Sequence, residues 1–335
     1  MKALVIQPDL TIKIQEKSIP QPKEGEALIR IAAASINRRD QWIREGKYPS
    51  IVPGVTLGSD GVGEVVEVGG HSESSWIGKT VLINPNNNWG DDDEVQQNTY
   101  HVLGLPSDGA LAEYVVAKLD RLVEKPKHLT DIEAGALPLS ALSAFRACFT
   151  KGEVSKGSKV LISGFGGGVA QMAALFSITV GADTYITSSN EGNIKLAKEK
   201  GAVEGFNYTT KDWYKNVQRR HGGFDVIIDS SGGNQFGHLI KLLNPKGKLV
   251  FYGATNGLPT TIDLYTMFWR QLSVLGSTMG NDKEFVRMVE FVKSFHIIPF
   301  IGSVRPFDEV LLALDEMKNG SVMGKSVLTF DWGNE

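Results

Sequence analysis

The sequence predicts an α/β protein in which a doubly wound parallel sheet accompanies a second part built from short β segments. Residues 1 to about 135 contain short β runs separated by Gly, Pro and Asn turns, one of them from Leu111 to Val116. Residues 136–280 alternate strand-like and helix-like runs, and the strand-like runs include Phe224 to Asp229 and Lys248 to Tyr252. Residues 281–335 carry two amphipathic helical runs and a closing strand. A glycine-rich turn follows the first buried strand of residues 136–280 and also supports this prediction.

That turn lies between a strand-like run, Lys159 to Ser163, and an apolar helical run from Gln171 to Ile178. Its glycines let backbone N–H groups approach phosphate, and the helix N-terminus adds partial positive charge. A second strand, Thr184 to Thr187, and a further helical run complete a βαβ unit, so we expect a bound dinucleotide. The residues predicted to contact its pyrophosphate are Gly164, Gly167, Gly168, Val169 and Ala170.

Composition narrows the class of protein. A chain of 335 residues suggests roughly two domains, and an apolar share of 41% is enough for sizeable cores. The net charge of −3 gives no general attraction to nucleic acid or to an anionic membrane. No apolar stretch approaches the roughly 20 residues that span a bilayer, and the N-terminus meets Pro8 too soon for a secretory signal. We therefore expect a cytoplasmic protein with no nucleic-acid or membrane partner.

The only cysteine is Cys148, which excludes disulfides within the chain. It lies in the apolar stretch from Ala144 to Phe149, and this setting predicts a buried, unreactive thiol.

Four short motifs follow one another along the chain: Ile36 to Asp40, Gly46 to Pro49, Leu57 to Gly63, and Asp108 to Tyr114. In these motifs the chain resembles the medium-chain dehydrogenase/reductase superfamily over nearly its full length. The resemblance implies a GroES-like β-barrel catalytic domain, residues 1–135 and 281–335, and a Rossmann domain with a doubly wound parallel sheet, residues 136–280. Within the superfamily the chain is most similar to the zinc-free, quinone-oxidoreductase-like branch, which includes proteins called zinc-type by name only.

The residues argue against a catalytic zinc ion, which needs three ligands drawn from thiolate, imidazole and carboxylate. Compared with zinc-dependent relatives, this chain has Asn37 in place of the first cysteine and Ser59 in place of histidine. The third ligand would fall near Leu139 or Ser140. The loop from Asn86 to Glu94 contains no thiol and replaces the four-cysteine structural lobe. Its acidic part is expected to be a solvated loop, the alternative being a weak cation site. We predict no metal.

Without a metal, negative charge on a substrate oxygen needs hydrogen-bond donors. The resemblance implies that Asn37 and Tyr48 are these catalytic donors, and that Trp89 and Trp269 are walls for a flat substrate. The alternative is structural: Tyr48 would only cap the turn before Pro49, and Asn37 would only bond to backbone.

The resemblance also implies cations beside the pyrophosphate. Arg38 and Lys325 match such positions, the alternative being that both are solvated surface cations. Gly164, Gly167 and Ala170 have the three-residue spacing of quinone reductases. The residues that follow the last two strands of the middle region are expected to flank the nicotinamide, because ligands bind at the carboxyl ends of such sheets. These residues are Gly253, Ala254, Ser277 and Thr278.

The choice between NAD and NADP depends on the end of the second strand, where an acidic residue would repel a 2′-phosphate. Ser188 occupies that position, and Tyr208 matches a tyrosine beside the 2′-phosphate in related NADPH reductases. These residues predict NADP. Two features weaken the prediction: Asn193 replaces a lysine of those relatives, and Glu191 could serve an NAD ribose instead.

The predicted function is therefore zinc-independent, NADPH-dependent hydride transfer to a quinone, an enal or another conjugated carbonyl. One alternative is an NADP-dependent aldehyde reductase or alcohol dehydrogenase, and another is a nucleotide-binding protein with little turnover. Relatives commonly pair the edges of their Rossmann sheets, and the edge segment from Asp263 to Ser277 is apolar and aromatic. We therefore predict a homodimer or a tetramer built from dimers.

Overall fold

The computed structural model describes residues 1–332. The chain divides into two compact units, a first unit of Met1–Leu139 with Asn281–Glu335 and a second unit of Ser140–Gly280. The sequence placed the first boundary at 135/136, whereas the units separate at 139/140.

The elements follow in chain order. Up to residue 137 they are β1 (Lys2–Ile6), β2 (Ile12–Glu16), β3 (Glu26–Ser35), α1 (Arg38–Arg44), β4 (Asp60–Val68), β5 (Thr80–Ile83), β6 (Asn86–Asn87), β7 (His101–Val102), β8 (Tyr114–Lys118), β9 (Leu122–Glu124) and α2 (Asp131–Gly135). From there to residue 280 they are α3 (Pro138–Phe145), β10 (Lys159–Ile162), α4 (Gly168–Thr179), β11 (Asp183–Ser188), α5 (Glu191–Glu199), β12 (Glu204–Asn207), α6 (Trp213–His221), β13 (Phe224–Asp229), α7 (Gln235–Lys241), β14 (Leu243–Phe251), α8 (Leu264–Arg270) and β15 (Ser273–Gly276). The remainder are α9 (Asp282–Ser294), β16 (Ile301–Pro306), α10 (Val310–Asn319) and β17 (Lys325–Thr329).

The first unit is built on a sheet with the strand order β16-β17-β3-β4-β5-β9, and β8 also pairs with β3. The long strand β3 is antiparallel to β4 and to β17. Aliphatic residues on these strands are fully buried, among them Ile29, Val65 and Leu328. The sheet therefore brings the ends of β3, β4 and β17 together, although β17 comes from the far end of the chain.

The second unit contains one six-stranded sheet with the order β12-β11-β10-β13-β14-β15, and every neighbouring pair is parallel. Numbered from β10, this order is 3-2-1-4-5-6, that of dinucleotide-binding sheets. Successive strands are added on one side of β10 as far as β12 and on its other side from β13 onward. This switch in strand order places a ligand crevice at the carboxyl ends of β10 and β13. Buried aliphatic residues such as Leu161, Ile227 and Leu249 fill its core, as expected for a sheet covered on both faces.

The starts of β14 and β8 are among the strand boundaries that differ from the sequence prediction. β14 was expected only from Lys248, but it starts at Leu243, and its register against β13 shifts around Pro245 and Gly247. The run expected from Leu111 to Val116 begins as a strand only at Tyr114. Ala112 forms an isolated bridge with Ala3.

None of the helices within residues 1–332 has both the length and the apolar character that a bilayer crossing requires.

Candidate active site and nucleotide-binding turn

A buried polar network lies where three strands of the first unit meet. Asn37 follows the end of β3 and precedes α1, Asp60 opens β4, and Lys325 opens β17. All three are at least nine-tenths buried, with exposed fractions of 7%, 0% and 5%. Because β3 pairs with both β4 and β17, the sheet itself assembles these residues from distant parts of the chain.

Lys325 is the cation of this network. Its Nζ lies 2.9 Å from Asp60 Oδ2, 2.6 Å from Asn37 Oδ1 and 3.1 Å from the backbone oxygen of Ile36. An ammonium has three N–H donors, so all of its donors are used. The predicted contact of Lys325 with pyrophosphate remains a prediction, and it would require one of these bonds to break.

Asp60 is the buried anion. Its Oδ2 also accepts hydrogen bonds from Ser35 Oγ and Asn37 Nδ2, both at 2.8 Å. Its Oδ1 accepts the backbone N–H of Leu139 at 2.7 Å. A carboxylate with this many donors and an ammonium partner is well compensated for the loss of water.

Ser59, the residue before Asp60, is fixed by a hydrogen bond and by the close packing of Gly58. Ser59 Oγ accepts a bond from Asn37 Nδ2 at 3.1 Å. Gly58 precedes it with a φ of +104°, and a Cβ added there would lie 2.4 Å from the backbone nitrogen of Leu111. Only glycine is compatible with both the backbone angle and the close approach.

The two predicted catalytic donors, Asn37 and Tyr48, differ in whether their hydrogen-bond donors are already used. Both amide hydrogens of Asn37 are donated, one to Ser59 and one to Asp60. Tyr48 is half-buried against the core of the first unit, and the Arg39 guanidinium carbon lies 5.2 Å from its ring centroid. Within residues 1–332 no hydrogen bond involves the Tyr48 hydroxyl, which leaves it available to a substrate.

Arg38 and Arg39 are neighbours with opposite surroundings. Arg38 is exposed and donates one long bond, 3.3 Å, to the backbone oxygen of Met317. Arg39 is only 6% exposed. Arg38 is the cation that the family resemblance implies, and Arg39 was not recognised from the sequence, although consecutive side chains at the start of a helix point about 100° apart.

The glycine turn of the second unit fits a phosphate group. Gly164 has a φ of +67° and donates its N–H to Thr187 Oγ1 at 3.1 Å, which fastens the turn to the end of β11. Gly167 precedes α4, and no side chain caps that helix. A Cβ added at Gly167 would meet only the Gly164 oxygen, at 3.8 Å. The space beside Gly167 is therefore open. The first N–H groups of α4, from Gly168, Val169 and Ala170, lie at the helix end that favours anions.

The end of β11 carries the residues predicted to select the cofactor. Ser188 is buried, and its Oγ accepts bonds from the Asn190 N–H and from Asn193 Nδ2. Tyr208 is half-buried one strand away, and its N–H donates to the Ser188 oxygen at 3.3 Å. Glu191 is exposed and accepts a bond from Asn207.

The crevice at the carboxyl ends of β10 and β13 is also polar. Ser163 donates a hydrogen bond to the fully buried Asp229, whose other oxygen accepts the Gly232 N–H at 2.9 Å. These two residues help to line a small cleft that also includes Gly164 and Tyr208. Asp229 was not recognised from the sequence as a site residue, although an aspartate at the end of a buried strand was a visible signal.

The residues expected beside the nicotinamide follow β14 and β15. Gly253 and Ala254 come just after Phe251, and Ser277 and Thr278 come just after Gly276. The Ser277 hydroxyl oxygen is buried and has no hydrogen-bond partner in the part of the chain that the structure describes. A polar atom in that state suits a ligand with a hydrogen-bonding group, so the second unit fits a dinucleotide.

The proposed aromatic walls and the cysteine have clear positions. Trp89 is 2% exposed and donates its ring N–H to the Asp92 oxygen, so the prediction that it forms a substrate wall is wrong. Trp269 lies on α8 and is 70% exposed. Cys148 is buried as predicted, and burial raises the pKa of its thiol to about 12.

Comparison with known proteins gives the family. Residues 23–127 match the alcohol dehydrogenase GroES-like domain, and residues 168–294 match the zinc-binding dehydrogenase domain. A zinc-type alcohol dehydrogenase-like protein, YogA, of Leptosphaeria maculans is 31% identical across 95% of this chain and 94% of its own. The chain therefore belongs to the medium-chain dehydrogenase/reductase superfamily and is an oxidoreductase with a nucleotide-binding fold. The predicted family and fold class are confirmed.

Two further proteins show the range of the family. An NAD-dependent alcohol dehydrogenase of Saccharolobus solfataricus is 27% identical over 95% of this chain and 96% of its own. A crystal structure of an NAD-dependent alcohol dehydrogenase is 33% identical and superimposes with a TM-score of 0.91, covering 98% of this chain and 99% of that one.

The family names imply zinc, but the residues do not fit it. The positions of the expected ligands hold an amide, Asn37, and a hydroxyl, Ser59, and the ammonium of Lys325 bonds directly to that amide. A cation in this network would repel a second one. Across residues 1–332 no three His, Cys, Asp or Glu side chains are grouped so that they could hold a metal ion.

Proposed function

We propose that this protein is a zinc-independent, NADPH-dependent oxidoreductase that transfers hydride to a quinone or another conjugated carbonyl. The observation that carries the proposal is the buried network of Asn37, Ser59, Asp60 and Lys325, in which Asn37 and Ser59 stand where zinc-dependent relatives are expected to have zinc ligands. Its hydrogen bonds and its ion pair satisfy one another without a metal ion.

Tyr48 is the proposed donor to the substrate oxygen. When bound, the nicotinamide supplies the hydride, and negative charge then develops on that oxygen. The free hydroxyl of Tyr48 stabilises this charge by donating a hydrogen bond. Asn37 is the second proposed donor. For this role its amide must leave Ser59, whose bond of 3.1 Å is longer than the bond to Asp60 at 2.8 Å.

The nucleotide is proposed to lie on the second unit. Gly164, Gly167, Gly168, Val169 and Ala170 hold the pyrophosphate, with the exposed Arg38 and, after release from its network, Lys325 as cations. Gly253, Ala254, Ser277 and Thr278 flank the nicotinamide. Ser188 and Tyr208 accommodate the 2′-phosphate, because no carboxylate ends β11.

A second candidate is an alcohol dehydrogenase or aldehyde reductase, and the names of the NAD-dependent relatives favour it. Glu191 would then be the ribose partner. NADPH and NADH oxidation should be measured separately with 1,4-benzoquinone, trans-2-hexenal and hexanal, before and after dialysis against a strong chelator. Our proposal predicts activity with NADPH and the first two compounds that survives dialysis. Activity restored only by zinc, or confined to hexanal, would contradict it.

We also propose a homodimer, or a tetramer of dimers, that works in the cytoplasm. α8 exposes Leu264, Tyr265, Phe268 and Trp269, each more than 60% accessible, and it directly precedes the edge strand β15 in the chain. Such an apolar edge favours pairing with a second copy. Light scattering at micromolar concentration tests this, and a monomer would contradict it.

A further inference from the structure

Arg39 is a buried cation with an incomplete set of partners. Arg39 is the second residue of α1 in the first unit, is 6% exposed and places its guanidinium carbon over the Tyr48 ring. One nitrogen, Nη1, donates to the Leu103 oxygen at 2.7 Å. Both Nε and Nη2 are shielded from solvent and have no hydrogen-bond acceptor within residues 1–332.

No neighbouring carboxylate fills this gap. The described ion pairs do not include Arg39. The adjacent Asp40 turns one oxygen to the Asn37 N–H at 2.7 Å, and its other oxygen is itself buried without a partner. Burial raises the pKa of the Asp40 carboxyl, although the Arg39 charge acts in the opposite direction.

An arginine cannot escape this situation by losing its proton. Burying unsatisfied charged donors is costly, so the site requires an acceptor. The two free nitrogens belong to the same edge of the guanidinium, where their N–H bonds run parallel. This edge matches the two oxygens of a carboxylate, and the flat Tyr48 ring below it suits a planar group.

We propose that the Nε–Nη2 edge of Arg39 binds a carboxylate carried by the substrate, which makes Arg39 a specificity-determining residue. The inference deepens the proposed function, on which it rests: the preferred substrate is a conjugated carbonyl that bears a carboxylate. The ring that lies beneath the guanidinium also carries the hydroxyl proposed to act on the carbonyl oxygen.

The test compares two substrates that differ in one group. In 3-penten-2-one a methyl group ends the conjugated chain, and in trans-4-oxo-2-pentenoate a carboxylate replaces it. We expect a lower KM for the carboxylate in the natural protein. Arg39→Leu should raise that KM about tenfold to a hundredfold, with little change for 3-penten-2-one. Arg39→Lys keeps the positive charge but lacks the two parallel N–H donors, so its KM for the carboxylate should lie between those of the natural protein and Arg39→Leu.

A binding measurement keeps the inference separate from the proposed reaction. Calorimetry with 4-oxopentanoate, which has no conjugated double bond, should show binding to the natural protein and loss of it in Arg39→Leu. Arg44→Leu is the matched control, since Arg44 lies on the same helix but pairs with Asp315 at the surface. Thermal unfolding of each variant checks that it is folded.

The outcomes are distinct. If no carbonyl is reduced but 4-oxopentanoate still binds through Arg39, the proposed reaction fails and the carboxylate site stands. If 4-oxopentanoate does not bind, or binds equally to Arg39→Leu, the inference is overturned and water satisfies the guanidinium edge.

Discussion

The ammonium nitrogen of Lys325 lies 2.9 Å from Oδ2 of Asp60, although 265 residues separate the two along the chain. Both side chains are almost completely buried. The pair therefore joins β4 to β17 in an environment that excludes solvent.

Removing the cation should destabilise the first unit. Lys325→Met leaves Asp60 buried without its partner, and we expect its free energy of unfolding to fall by about 3–5 kcal/mol in urea titrations. The matched control is Lys2→Met, since the Lys2–Asp308 pair is exposed and should contribute less than about 1 kcal/mol. Equal effects of the two substitutions would contradict this account.

The hydroxyl of Tyr48 should matter for rate and not for cofactor binding. Tyr48→Phe keeps the ring beneath Arg39 and removes only the proposed donor, so kcat should fall on the order of 100-fold. The dissociation constant for NADPH should not change. Tyr265→Phe, on the exposed face of α8, serves as the control. An unaltered kcat for Tyr48→Phe would return Tyr48 to a structural role.

The end of β11 should determine the cofactor. Ser188→Asp puts a carboxylate where the 2′-phosphate is proposed to lie, and NADPH should bind about tenfold more weakly or worse. NADH should bind as well as before or better, because the carboxylate can accept from a free ribose hydroxyl. Ser188→Asn has nearly the same shape without the charge and separates repulsion from simple crowding. Dissociation constants for both cofactors give the answer, and a natural protein that already prefers NADH would reverse the assignment toward Glu191.

Cys148 should be inert in the folded protein. Burial raises its pKa to about 12, so the neutral thiol persists at pH 8 and a disulfide reagent should label it only after unfolding in urea. The native state holds this proton more tightly than the unfolded chain, whose thiol ionises near 9.0. Stability should therefore fall as pH rises from about 9 toward 12. Rapid labelling of the native protein would show that the thiol is accessible.

The sheet of the second unit was predictable because its signals are local. Each strand is a short apolar run followed by a turn, and β13 has the predicted limits, Phe224 to Asp229. The error at β14 also has a local cause, since Pro245 and Gly247 resemble a turn although the strand continues past them with a shifted register.

The site in the first unit was less accessible to sequence reasoning. Resemblance to the family singled out Asn37, Tyr48 and Lys325, but nothing near Asp60 shows that it pairs with a lysine at the far end of the chain. Likewise, the sequence shows two adjacent arginines, and only the packing of α1 reveals that Arg38 is exposed while Arg39 is buried. Trp89 was misassigned for the same reason, since burial is a property of the folded loop.

The pairing of β3 with β17 also determines which part of the protein can fold first during synthesis. Strand β3 and Asp60 leave the ribosome early, whereas their partners β17 and Lys325 follow 265 residues after Asp60. At about 5–20 residues per second, that interval lasts roughly 13 to 53 seconds. The second unit, one continuous stretch between them, can fold during synthesis, while a nascent first unit waits with an uncompensated carboxylate and an open strand edge. Chaperone dependence should therefore concentrate in the N-terminal half of the newly made chain.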